Sequence, residues 1–151
     1  MARVSAFTVM SPSFSEGGDI PREHTCDGAD AAPVLEVAEL PEETRSFAII
    51  MDDPDAPKGT FTHWLAYDIP AGRGALDVGS GKSLKNGFGR TGYGGPCPPP
   101  GHGVHRYYVN VYAVDVPSLG IKGDSRQDLE DALKTHTIAA ATLTGRYERP
   151  R

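Results

Sequence analysis

The sequence predicts an all-β fold with many turns and one credible helix, on three observations. There are 18 glycines and 13 prolines among 151 residues, well above the usual combined share of about 12%. They punctuate the whole chain rather than one block. Between them lie short apolar runs of strand length, and such alternation of brief strands with turn residues is the mark of all-β architectures. Helical periodicity is confined to one stretch near the C-terminal end.

Phe7-Thr8-Val9-Met10 reads as a first short strand, followed from Ser11 to Pro33 by a polar surface connection. Val34-Leu35-Glu36-Val37 reads as a second strand, closed by Pro41. Ser46 to Met51, continuously apolar after its first residue and β-branched at Ile49 and Ile50, is predicted as a strand buried on both faces. The next strand runs from Thr62 to Ile69. Strict alternation puts His63, Leu65 and Tyr67 on one of its faces, with Trp64, Ala66 and Asp68 on the other. Ala71 to Pro100 reads as a long loop, of the kind that is functional or disordered, ending in the stiff Pro96-Cys97-Pro98-Pro99-Pro100 tract. Tyr107 to Val114 is the longest clear strand. Ser125 is a helix N-cap with Asp128 three residues on, and Leu129, Ala132 and Leu133 supply an i, i+3, i+4 stripe. Ala139 to Tyr147 closes the chain as a strand. No repeat or linker interrupts it, so one domain over residues 1–151 is expected.

A net charge of −5 and the lack of a basic cluster interleaved with aromatics argue against a nucleic-acid surface. Met1 to Ser5 has no apolar signal region, and the Phe47–Met51 run is far too short to span a bilayer. A soluble cytoplasmic protein is the expectation. In that compartment Cys26 and Cys97, which fit no metal spacing, are expected as two reduced thiols, with a bridge open to them only if the fold juxtaposes them.

Two tracts concentrate polar chemistry. The first is Asp52-Asp53-Pro54-Asp55-Ala56-Pro57, and the second is Gly101-His102-Gly103-Val104-His105-Arg106-Tyr107. Asp53 and Asp55 share a face if the segment is extended; they suit metal ligation, acid/base work or the orientation of histidines, and equally suit a plain turn. His63 starts the strand that returns from that turn, within reach of either carboxylate. In the second tract the glycines let backbone N–H groups approach an anion. Alternation sends His105 and Tyr107 toward a site and Arg106 away from it, as an ion-pair partner. His102 reads as a solvated loop residue, and His24 and His136 have no supporting company. A mononuclear metal on Asp53, Asp55, His63 and His105 is chemically reasonable, but no spacing is diagnostic for it. No GxSxG elbow, HExxH helix or Walker loop is present.

Taken in order, Asp53-Pro54-Asp55-Ala56-Pro57, Thr62-His63-Trp64, Gly95-Pro96-Cys97-Pro98-Pro99 and Gly103-Val104-His105-Arg106-Tyr107 resemble the phosphatidylethanolamine-binding protein family. The likeness is to its compact bacterial and archaeal branch, labelled Raf-kinase-inhibitor-like. It extends from Ser11-Pro12-Ser13-Phe14 through Thr25-Cys26-Asp27-Gly28 to Gly145-Arg146-Tyr147. The resemblance implies a Greek-key antiparallel β-sandwich with one or two short peripheral helices. It also implies a small cavity for phosphate-type anions or phospholipid head groups. By motif position, Asp53, Asp55, Pro57 and His63 would form one wall; Pro98, Pro99, His105 and Tyr107 would form the other, with a backbone donor near Cys97. The larger eukaryotic members carry a C-terminal helix over the cavity, and with only a few residues after Tyr147 no such cover is expected here.

The expectation is therefore a non-catalytic binding protein without cofactor or metal. The alternative is an inhibitor of a protein kinase or serine protease acting by surface contact, and a hydrolase is the third option. A homodimer is expected from relatives of this compact type. Carboxylates in an anion site are explained if Asp53 and Asp55 hold His63 and His105 oriented and partly protonated, with phosphate affinity rising as pH drops through about 6.5.

Overall fold

The computed structural model describes residues 6–150. Among the described residues, nine strands and one α-helix follow in chain order. They are β1 (Thr8–Met10), β2 (Gly18–Asp19), β3 (Glu36–Ala38), β4 (Ser46–Asp53) and β5 (Phe61–Pro70). After them come β6 (Gly74–Ala75), β7 (Lys82–Ser83), β8 (His105–Val114), α1 (Arg126–His136) and β9 (Thr137–Tyr147). A large sheet has the order β2-β9-β8-β4-β5-β7, and a small one the order β1-β3-β6. Every pairing is antiparallel except the two-residue β2–β9 edge. The two long connections of the sequence reading, Ser11 to Pro33 and Ala71 to Pro100, contain β2, β6, β7 and two 3₁₀ turns. Pieces of two or three residues are too short to leave a periodic signal.

β4 explains its own composition. Phe47, Ile49 and Met51 face the core beneath the small sheet, where Phe47 stacks on Phe7 at 6.2 Å. Ala48 and Ile50 face the opposite way, into a second core closed by Leu129 and Leu133 of α1. The large sheet is thus covered by strands on one face and by a helix on the other, so its central strand has no polar side. Burial of each large side chain here is worth about 1.5–3 kcal/mol. The helix starts as its sequence predicts: the Ser125 hydroxyl accepts from the Asp128 N–H and the Asp128 carboxylate reaches back to the Ser125 N–H, a reciprocal cap.

Two expectations are overturned. Cys26 and Cys97 form a disulfide, with Cα atoms 5.4 Å apart, rather than two free thiols. Seventy-one residues separate them, and no spacing rule could have paired them. Contacts between the 24–30 and 93–97 segments do so. Cys26 N–H donates to the Pro96 carbonyl (3.1 Å), the Tyr93 hydroxyl to the His24 carbonyl (2.6 Å), and Gly95 N–H to Asp30 Oδ1 (2.8 Å). A side chain at Gly95 would collide with the His24 carbonyl oxygen, so only glycine permits this approach.

The second correction concerns the faces of β5. Met51 pairs with Trp64 but Asp52 pairs with Thr62, so His63 is an extra residue opposite no partner. That bulge resets the alternation. Leu65 and Tyr67 lie in the helix-side core, while His63 turns to the opposite face with Trp64, its ring 5.2 Å from that of Tyr107.

Candidate functional site

The cavity that holds most of the residues singled out in the sequence has a volume of about 200 Å³. Asp53, Ala56, Pro57, Phe61, His63, Phe88, Cys97, Pro98, Pro99 and His105 line it. It sits where the ends of β4, β5 and β8 meet the 93–100 segment. Asp53 closes β4 and is paired with Phe61 of β5, and His105 opens β8. The bulge at His63 brings the third polar group onto the same side.

Each polar group is held by a specific partner. His105, only 1% exposed, has its Nδ1 at 2.6 Å from Asp53 Oδ2. A carboxylate can only accept, so Nδ1 carries a proton. The Nε2 of the same ring lies 2.6 Å from Nδ1 of His102, and the two imidazoles share a hydrogen bond there. The Asp53 Oδ1 atom accepts the Asp55 N–H at 2.7 Å. The result is a chain Asp53–His105–His102 leading from the buried carboxylate to an exposed imidazole. His102 was read from the sequence as merely solvated. Gly101 and Gly103 both have positive φ (73° and 93°) and fold the turn back so that the i, i+3 rings meet.

His63 donates from Nδ1 to the Gly94 carbonyl at 2.7 Å, and this carbonyl, not a carboxylate, sets its tautomer. Burial pushes its pKa below the ordinary histidine value, against the opposing effects of the Gly94 bond and the Asp53 charge. His63 is therefore neutral at neutral pH and carries an Nε2 lone pair. The picture of Asp53 and Asp55 jointly orienting two imidazoliums is corrected: Asp53 orients His105, Gly94 orients His63, and Asp55 orients neither.

Asp55 turns outward to Arg106. It accepts from the Arg106 backbone N–H (2.8 Å), from Nε (2.9 Å) and from Nη2 (2.8 Å). Those side-chain bonds hold its carboxyl down at about 2. Asp55 does not line the cavity, and Tyr107 lies behind it, fully buried between the His63 and His105 rings. The Tyr107 hydroxyl is buried without a hydrogen-bond partner. Burial first, and then the Asp53 charge, push that phenol well above its usual range. Ala56, Phe61 and Phe88 are cavity residues the sequence reading missed. Phe61 and Phe88 touch each other (4.7 Å) and both touch His63, and Phe88 comes from a loop with no strand periodicity to flag it. Among the described residues, no three His, Cys, Asp or Glu side chains converge as metal ligands. No described helix is long and apolar enough to cross a membrane.

Comparison with known proteins matches residues 10–148 to the model of the phosphatidylethanolamine-binding protein family. A UPF0098 protein of Aquifex aeolicus is 49% identical over 150 residues, covering 93% of this chain and 88% of that protein. Among solved structures, a phosphatidylethanolamine-binding protein homolog of Chlamydia trachomatis superposes with a TM-score of 0.87 at 34% identity, covering 97% of this chain and 99% of that one. YbcL of E. coli does so with 0.84 at 31%, covering 94% and 98%. A carboxypeptidase Y inhibitor, solved with its proteinase, shares the fold alone, at 18% identity and a TM-score of 0.61, covering 95% of this chain and 84% of that one.

Proposed function

Because this chain belongs to the phosphatidylethanolamine-binding protein family, we propose that its cavity is a non-catalytic binding site for a phosphate-type group, free or carried by a lipid head group. The observation that carries this reading is the placement of two imidazoles and one carboxylate inside a small cavity whose other lining residues are mostly proline and phenylalanine, with Ala56 and Cys97. Its volume of about 200 Å³ suits a small ligand better than a whole lipid, since drug-sized pockets run to roughly 300–1,000 Å³.

The electrostatics select the ligand's protonation state. Arg106 is turned away to Asp55, Asp53 carries negative charge into the cavity, and His63 is neutral. A phosphate dianion alone is disfavoured there. A monoanion can donate its O–H to the His63 Nε2 lone pair, or a dianion can enter together with a proton on His63. Both routes take up one proton. For a zwitterionic head group the ammonium meets Asp53. On this reading affinity is again expected to rise in mild acid, for a different reason from the one the sequence suggested.

Calorimetric titration with inorganic phosphate and with phosphoethanolamine tests the reading. Phosphate monoesters lose their second proton near pH 6, so affinity at pH 6 should exceed that at pH 8 by about tenfold or more. An affinity flat from pH 5 to pH 8 would overturn it. Asp53→Asn and His63→Ala should abolish binding while the protein stays folded. Contact inhibition of a protein kinase or a serine protease predicts target capture indifferent to both changes. A native mass spectrum of the purified protein reads bound ligand and homodimer formation together.

A further inference from the structure

The disulfide lies in the cavity wall: Cys97 lines it beside Pro98 and Pro99. Its two sulfurs have unlike surroundings. Cys26 is exposed and followed by Asp27, whereas Cys97 is half-buried with Arg149 Nη1 at 3.8 Å from its sulfur. The same guanidinium reaches the Pro98 carbonyl (3.5 Å) and Asp27 Oδ1 (3.2 Å), so it is fixed across the junction. We infer that the Cys26–Cys97 bridge is a thiol-exchange site of defined polarity, attacked at Cys26, whose opening weakens ligand binding in the cavity.

The step balances as follows. A thiolate of a small-molecule or protein thiol reductant attacks Cys26 Sγ in line with the S–S bond. A mixed disulfide forms on Cys26, and the electron pair of the broken bond leaves on Cys97 as a thiolate. Thiol–disulfide exchange favours attack on the accessible sulfur and departure of the better-stabilised thiolate. A neighbouring guanidinium supplies that stabilisation at Cys97. A second thiol then attacks the reductant's own sulfur, releasing reduced Cys26 and carrying both electrons' worth of oxidation away as a reductant disulfide.

Opening need not unfold the chain. Three hydrogen bonds continue to tie the same two segments: Cys26 N–H to Pro96, Tyr93 to His24, and Gly95 N–H to Asp30. What changes is the wall. A neutral sulfur becomes a thiolate beside the Pro98-Pro99 edge, and Gly94, the partner of His63, sits three residues away on the freed segment. A new negative charge a few ångströms from a bound anion costs about tenfold in affinity. The coupling, unlike the exchange itself, rests on the phosphate-binding reading above.

Brief exposure of the oxidised full chain to glutathione, quenched with iodoacetamide and mapped by peptide mass spectrometry, tests the polarity. Glutathione should sit on Cys26 and the alkyl group on Cys97, and Arg149→Gln should slow the exchange several-fold without moving the melting temperature of the oxidised form. Glutathione mainly on Cys97, or a bridge untouched in the folded protein, overturns the polarity. Phosphate titration of the oxidised, dithiothreitol-reduced and reoxidised forms, with circular dichroism on each, tests the coupling. Expected is a loss of about tenfold on reduction, recovered on reoxidation. Equal affinities, or a reduced form that unfolds, overturn the coupling. Phosphate bound by neither form overturns the function proposed above and the coupling with it, while the glutathione map still decides the exchange.

Discussion

Asp52 and Asp53 are consecutive on β4, and the pleat sends them to opposite faces of one sheet. Asp52 turns to the helix side, where both its oxygens meet Arg126 of α1, at 2.5 and 2.9 Å. Arg126 also bonds the Thr62 hydroxyl (2.8 Å) and Glu130 (2.6 Å). This network docks the helix, and a cation answers the carboxylate directly. Asp53 turns to the cavity side, only 3% exposed, and is answered by an imidazole and one backbone N–H. The same side chain, one residue apart, is a fastener on one face and a reactive-looking group on the other. The difference lies in the partner: an arginine satisfies a carboxylate permanently, whereas a histidine does so by sharing a proton that a ligand can disturb.

Removing each carboxylate should separate the two roles. Asp53→Ala is expected to have the largest effect, costing about 3 kcal/mol in urea denaturation because it strands a buried imidazole and the Asp55 N–H. It should also abolish phosphate binding. Asp52→Ala should cost less, about 2 kcal/mol for the lost charge-assisted bonds to Arg126, and leave phosphate affinity unchanged. Equal effects of the two substitutions on ligand affinity would erase the distinction between the faces.

Acid should act next. The folded state holds His63 neutral below its ordinary value, so in the window beneath about pH 6.5 the unfolded chain binds the extra proton and stability falls as pH falls. Melting temperatures of the ligand-free protein between pH 7 and pH 5 should decline on this account, and the decline should shrink in His63→Gln. The smallest effect belongs to the exposed Asp55–Arg106 pair. Asp55 is depressed from 3.8 to about 2, so its contribution is complete above pH 4 and lost only as pH approaches 2. Asp55→Asn should be nearly silent at pH 7, and phosphate affinity should not follow it, since Asp55 is outside the cavity.

Much of this was legible in the chain. The two-faced burial of β4 follows from five consecutive apolar residues, the helix start from Ser125 and Asp128, and the outward turn of Arg106 from simple alternation. Asp53, Pro57, His63, Cys97, Pro98, Pro99 and His105 are cavity residues that the motifs named in advance. Asp55 and Tyr107 were named too, and the structure puts them outside the lining. Phe88 and His102 come from loops, where neither period 2 nor period 3.6 operates, and so gave no pattern to read.

Local chemistry determined where the long strands and the helix lie and which residues carry charge, because backbone propensity and side-chain alternation act over a few residues. Tertiary structure decided the rest. A single bulge moved His63 to the cavity face, a carbonyl thirty-one residues away set its tautomer, and two cysteines met across a close approach that only Gly95 allows. Such outcomes depend on which surfaces come to lie against each other, and that is settled by the packing of the whole chain.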